Sequence, residues 1–178
     1  MIVKPRVIII TGEKQSGKTS LAEELVGWMK EQDLNVAGIL ACGHWHHGQR
    51  SGFDLVDLAD GRLTALARRN PGRDKDAVTG FTFFPQGLVA GKAALSMERC
   101  RDADWIVVDE IGRLELAGSG WAPQLAPLLG LPGVGHIWIV RQSLIEPVCR
   151  WWHFSPAAIV SVEDRQALSI MKDLSVKT

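Results

Sequence analysis

Tyrosine is absent from this 178-residue chain, cysteine is scarce, and neither sign of charge is in excess. Each shortage excludes something. Lys plus Arg and Asp plus Glu stand at 20 each, so the formal net charge is zero. A general affinity for nucleic acid or for anionic membranes needs a basic surplus, and neither partner is expected. Cys42, Cys100 and Cys149 are odd in number and widely spaced, which does not suit a disulfide framework. No long hydrophobic run stands out either. The first, Val7 to Ile10, is about a strand long, where a spanning helix needs roughly 20 residues. A cytoplasmic protein is expected. Seven tryptophans accompany the missing tyrosine, and this bias suggests no function.

What is present suffices for a packed core. Hydrophobic residues make up 46% and charged residues 22%, and the length fits one domain over residues 1–178. Arg6 to Thr11 reads as a strand buried on both faces, through its β-branched run Val7-Ile8-Ile9-Ile10. From Lys18 to about Gln32, Leu21, Leu25, Trp28 and Met29 recur at helical spacing. Val36 to Ala41 is a second apolar strand, and Cys42 to Gly52 is polar. Phe53 to Leu58 and Leu63 to Ala67 flank Asp60-Gly61, a hairpin signal, which makes 38–67 an antiparallel excursion. A polar loop over Arg68 to Lys75 turns at Asn70-Pro71-Gly72.

A short strand is predicted over Gly80 to Phe84 and a helix over Gln86 to about Arg101. Trp105 to Val108 is a buried strand ending at Asp109-Glu110. Trp121 to Leu129 reads as a helix that Pro127 kinks or shortens. Strands over Ile137 to Val140 and Ala158 to Val162 are followed by helices near Leu144 to Trp151 and Glu163 to Leu174. Strand–helix alternation at this spacing predicts an α/β fold in three layers, with a mostly parallel sheet and right-handed crossovers.

The chemistry is concentrated between the first strand and helix. Gly12-Glu13-Lys14-Gln15-Ser16-Gly17-Lys18-Thr19 fits G-x-x-x-x-G-K-[ST] at every fixed position, and Ser20 follows. Such a loop wraps backbone N–H groups around phosphate oxygens, and its glycines permit the close approach. The helix N-terminus adds roughly half a positive charge. Lys18 is expected on the β- and γ-phosphates and the Thr19 hydroxyl on Mg²⁺, with ATP or GTP as the ligand. The bland alternative is a Gly-containing turn with a helix-capping Thr. The flanking strand and helix favour the phosphate loop of a P-loop NTPase, of RecA-like type.

A second acidic group is needed for the metal. Asp109, ending the run Trp105-Ile106-Val107-Val108, supplies it, usually through a water. Glu110 is the candidate that positions and deprotonates the attacking water. Arg113 starts near the site and is the first candidate to neutralise transition-state charge; Arg50, Arg141 and Arg165 are weaker ones. Cys42, His44, His46 and His47 crowd one segment. A structural zinc there competes with a solvated hairpin, and no second ligand pair stands at a familiar spacing.

These residues resemble the small nucleoside-triphosphatases first described in hyperthermophiles, with relatives in animals. The resemblance rests on Gly12 to Thr19, Arg50-Ser51-Gly52-Phe53, Asp109-Glu110-Ile111-Gly112-Arg113-Leu114-Glu115-Leu116 and Val162-Glu163-Asp164-Arg165. It implies a compact P-loop fold, Mg²⁺-dependent hydrolysis of nucleoside triphosphates to diphosphates, slow turnover and loose base preference. Inside the loop, Lys14 and Ser16 are instead similar to the molybdopterin-guanine dinucleotide biosynthesis protein B group. Where a guanine-reading Asn/Thr-Lys-x-Asp motif would be sought, Val140-Arg141-Gln142-Ser143 stands. Three functions follow as expectations. Hydrolysis by Lys18, Glu110 and Arg113 comes first. A nucleotide-dependent switch acting on an unidentified protein partner, and a small-molecule kinase with Arg68, Arg69 and Arg73 in a lid, are the alternatives.

Overall fold

A computed structural model describes residues 5–69 and 80–176. The predicted Asn70-Pro71-Gly72 turn and Arg73 lie outside the described residues. The first strand, β1, spans Arg6–Thr11 and is followed by helix α1, Lys18–Glu31. Strands β2 (Val36–His46), β3 (Gln49–Asp57), β4 (Leu63–Arg69) and β5 (Phe81–Phe83) come next. Helices α2 (Pro85–Ala94) and α3 (Met97–Cys100) lead to β6, Trp105–Ile111. Helices α4 (Arg113–Leu116) and α5 (Ala122–Leu129) lead to β7, Gly135–Val140. Helix α6 (Ile145–Trp151), strand β8 (Ala158–Ser161) and helix α7 (Ala167–Ser175) complete the order.

Among the described residues the strands form one sheet in the order β5-β4-β3-β2-β6-β7-β1-β8. The neighbours β2–β6, β6–β7, β7–β1 and β1–β8 are parallel, and β2–β3, β3–β4 and β4–β5 are antiparallel. The chain thus has the expected three-layer α/β architecture of a P-loop NTPase. Period-two alternation makes the layers. Val7 and Ile9 of β1 enter a core with Leu95, Leu125 and Val148, whereas Ile8 and Ile10 enter a core with Leu25, Met29 and Met171. Helices α1 and α7 therefore cover one face, and α2, α3, α5 and α6 the other. Among the described residues no helix is long and apolar enough to cross a membrane.

Several boundaries differ from the sequence reading. The polar stretch after Ala41 continues as strand: β2 runs on to His46 and β3 starts at Gln49, with the pairing kept from Cys42↔Asp54 to His46↔Gln49. The antiparallel excursion is a three-strand extension of the sheet rather than a single hairpin. The helix predicted over Gln86 to Arg101 is broken. Ser96 sits in an extended conformation and its side chain accepts a hydrogen bond from the Arg99 amide, which starts α3 afresh. The last helix begins at Ala167, not Glu163. Its predicted first turn is spent on local bonds, Glu163 N to Ser161 Oγ and Gln166 N to Asp164 Oδ1. Helix α5 ends at Leu129, two residues beyond Pro127.

The C-terminal ends of the parallel strands deliver the candidate residues to one edge: Thr11 with the loop after β1, Asp109 and Glu110 on β6, Arg141 after β7. A crevice outside these ends is where open α/β sheets bind ligands.

Candidate active site

The phosphate loop turns sharply between β1 and α1. Gly12 has φ +153°, and a Cβ there would lie 2.6 Å from Ser16 Oγ and 2.7 Å from Val162 Cγ2, so only glycine fits the turn. Lys18 is the first residue of α1 and is 8% exposed. Its Nζ donates to the Gly12 carbonyl at 3.1 Å, to the Glu13 carbonyl and to Ser16 Oγ at 3.4 Å. Burial lowers its pKa. The charges of Arg141 and Arg50 push the same way, while those of Glu110 and Asp109 oppose. The ammonium is thus held inside the loop, in a setting that rewards an anionic partner.

Next to it, two oxygen groups meet. Thr19 Oγ1 donates to Asp109 Oδ2 at 2.9 Å, and the same carboxylate oxygen accepts from the Ala41 amide at 3.0 Å. Asp109 is 1% exposed, and among the described residues its other oxygen, Oδ1, is buried with no hydrogen-bond partner. Burial first, and the Glu110 charge second, push this carboxyl up to about 7. A buried, unsatisfied carboxylate oxygen is costly. Beside a hydroxyl, it forms an oxygen-only donor pair of the kind Mg²⁺ takes, completed by substrate phosphates and water. The residues therefore fit the expected metal.

Glu110 departs from strand geometry. The β6–β7 register shifts between Val108 and Ile111, and Glu110 has φ +60°. Its half-exposed side chain brings Oε2 to 3.9 Å from Arg141 Nη2. The following turn is fixed from beneath. Glu115 is 3% exposed; its Oε2 accepts from the Gly112 amide at 2.9 Å and its Oε1 from the Trp121 amide at 3.3 Å. Arg113, exposed at the start of α4, projects from this pinned turn and lines the same cleft as Glu110.

That cleft has a volume of about 700 Å³. Lys14, Gln15, Lys18, Glu110, Arg113 and Arg141 all line it, as does Arg50, whose guanidinium stacks over Trp45 at 4.9 Å and Phe53 at 5.0 Å. Arg165 does not line it, and is exposed in the turn after β8; Ser20 and Glu13 are likewise exposed. Arg141 stands nearer to Glu110 than its spacing from the loop suggested, because β7 is inserted between β1 and β6. Its position at a strand end, after Val140, was the available signal. The aromatic wall of Phe53, Phe81 and Phe83 was not anticipated; the two-residue spacing of Phe81 and Phe83 on β5 is the pattern that marks it.

The Cys–His segment lies on the β2–β3 hairpin. His44 Nε2 is 2.8 Å from Asp54 Oδ2, and the His46 and His47 rings meet edge to face at 4.1 Å. Burial raises the Cys42 thiol to about 11, away from the thiolate that zinc needs. Among the described residues no group of three or more His, Cys, Asp and Glu side chains is arranged to hold a metal.

The family model described as NTPase matches residues 7–164. A protein of Methanopyrus kandleri named nucleoside-triphosphatase THEP1 is 31% identical over 118 residues, covering 66% of this chain and 63% of that protein. The chain spans about three fifths of the length of the curated relatives it matches first. The crystal structure of THEP1 from the hyperthermophile Aquifex aeolicus superimposes with a TM-score of 0.69 at 20% identity, over 96% of this chain and 99% of that one. The solution structure of a human cancer-related nucleoside triphosphatase does so with a TM-score of 0.67 at 22% identity, over 95% of each. At these identities the two structures establish a shared fold.

Proposed function

The chain belongs to the NTPase family, and from that premise we propose that it hydrolyses nucleoside triphosphates to diphosphate and phosphate in the cleft beside the phosphate loop. The carrying observation is the 2.9 Å contact of Thr19 Oγ1 with Asp109 Oδ2, which joins the loop to the acidic strand at one point beside Lys18. The names of the relatives agree with this reading.

The loop amides and Lys18 hold the phosphates, with Lys18 exchanging its carbonyl partners for β- and γ-oxygens. Thr19, with Asp109 directly or through water, would hold Mg²⁺, which would supply positive charge to the phosphate oxygens. Glu110 orients a water in line with the γ-phosphorus and takes its proton as the new O–P bond forms and the bond to the β-phosphate oxygen breaks. Arg141, 3.9 Å from Glu110, and Arg113 face the region where charge accumulates. No guanine-reading motif follows β7, which supports a loose base preference. Three free thiols, Cys42, Cys100 and Cys149, suit a reducing compartment and support a cytoplasmic location.

The test is phosphate release by the purified protein with Mg²⁺ and ATP, GTP, CTP and UTP in turn, beside Glu110→Gln. Release from several bases is expected. Glu110→Gln should bind triphosphate normally and hydrolyse it about 10²- to 10⁴-fold more slowly. A wild-type rate in Glu110→Gln would remove Glu110 from its role, and tight binding without release by the wild type would refute the hydrolase.

A further inference from the structure

The cleft is larger than the phosphate loop requires, and the proposed function leaves its far part without a task. The direction of a bound triphosphate follows from that function, on which this inference rests. In that function Lys18 takes the β- and γ-oxygens and Glu110, on β6, takes the attacking water. The γ-phosphate end therefore points toward β7 and β6, and the nucleoside leaves on the side of β8, at the other flank of β1. The cleft extends in the opposite sense, from Lys18 and Glu110 out over β3, β4 and β5.

Its outer part has two kinds of surface. Phe53 of β3 and Phe81 and Phe83 of β5, with Leu66 and Leu88, form an apolar wall. The three Phe rings are half-buried, and Phe53 and Phe81 meet edge to face at 5.0 Å. The rim is cationic: among the described residues Lys14, Lys18, Arg50, Arg69, Arg113 and Arg141 line the cleft against two carboxylates, Glu110 and Glu115. Glu115 is committed to the amides of Gly112 and Trp121. Arg50 lies over the Phe53 ring with its Nε buried and, among the described residues, without a hydrogen-bond partner. Arg69 is held at the end of β4 by Gln49 Oε1 at 2.9 Å. Aromatic faces bind flat rings by stacking, and arginines beside them bind anionic oxygens.

We propose that this compartment is a second small-molecule site, on the γ-phosphate side of the loop, for a flat aromatic molecule carrying an anionic group, with the chemistry of a nucleoside monophosphate. The volume of about 700 Å³ accommodates it together with the terminal phosphate. An occupant reaches Glu110 and stands where the attacking water enters, so it decides whether the γ-phosphate meets water.

The experiment is calorimetry on the full chain loaded with Mg²⁺ and a non-hydrolysable ATP analogue, titrated with AMP, GMP, CMP and UMP. At least one monophosphate should bind one to one while the analogue stays bound. Phe83→Ser should weaken it about tenfold or more, the loss of one stacking partner, and leave the analogue's affinity within twofold. Arg69→Gln, at the exposed end of its strand, should weaken the monophosphate too; it leaves the apolar wall intact and so separates lost binding from a misfolded variant. If the analogue binds and no monophosphate does, this inference is overturned and the hydrolase stands. It is also overturned if the monophosphate displaces the analogue, or if Phe83→Ser weakens the analogue, since the compartment then holds the triphosphate's own base. Failure of the analogue to bind the wild type would refute the proposed function and this inference with it.

Discussion

On the proposed function, Asp109 should make the affinity for Mg²⁺ depend on pH in a range where an ordinary aspartate would be silent. Its carboxyl is pushed up to about 7, first by burial and then by the Glu110 charge. A metal ligand must be ionised, so protons compete with the cation. At pH 8 about nine-tenths of the carboxyl is charged and at pH 6 about one-tenth, so the Mg²⁺ midpoint should rise about tenfold between them, or about 1.4 kcal/mol. An aspartate at 3.8 would give a flat line. The assay is a Mg²⁺ titration of triphosphate binding at pH 6, 7 and 8. Asp109→Asn, run in parallel, subtracts the nucleotide's own protonation. Glu110→Gln should move the transition to lower pH, because it removes the second cause of the shift. The reasoning fails if the wild-type midpoint follows that of Asp109→Asn at every pH, or if Glu110→Gln moves the transition upward.

Other predictions are shorter. Arg141→Ala should slow hydrolysis about 10²-fold, as loss of one charge-stabilising donor does, and Arg113→Ala less than about tenfold; steady-state rates decide, and a larger loss at Arg113 would reverse the assignment. His136 is 1% exposed and burial pushes its pKa down to about 4 from 6.5. Because the folded pKa is depressed, its contribution to stability is complete above pH 6.5 and is lost as pH falls toward 4, by about 3 kcal/mol. Urea unfolding should show this as the difference between metal-free Asp109→Asn with and without His136→Leu, a comparison in which the raised pKa values of Asp109 and Glu115, which act with opposite sign, cancel. Gly12→Ala places a Cβ 2.6 Å from Ser16 Oγ at a φ of +153°; triphosphate binding should drop at least about tenfold and the melting temperature should fall as well, and normal binding would show that the loop tolerates a side chain there.

Much of this was legible from short range. The β-branched run of β1, the fixed positions of Gly12 to Thr19 and the apolar run into Asp109 each state their structure locally, since each is one strand or one turn. The rest depends on what lies beside it. Nothing in Cys42 to His46 reads as apolar strand, yet β2 continues there because its backbone is paired by β3 and extended polar residues cost little at a hairpin rim. The split between α2 and α3 turns on one side-chain bond at Ser96. Arg141 was weighed on its distance along the chain, whereas its nearness to Glu110 comes from strand order: β7 lies between β1 and β6, and periodicity carries no information about order.

Glu110 shows why the acidic pair needs more than its sequence. In a regular strand, adjacent residues point to opposite faces of the sheet. Asp109 and Glu110 would then be separated by the sheet itself, and only one could face the cleft. The register shift after Val108 and the φ of +60° at Glu110 undo the alternation. Asp109 stays buried against Thr19 while Glu110 turns into the cleft beside Arg141. A non-glycine residue in this left-handed region costs about 1 to 2 kcal/mol, and the hydrogen bonds of Glu115 to the amides of Gly112 and Trp121 hold the turn that follows. The buried carboxylate of Glu115, which also lines the cleft, thus supports the proposed site by holding the turn after Glu110. On the proposed function, two acids adjacent in sequence serve one phosphate with the help of a third, Glu115, which fixes the turn that follows Glu110.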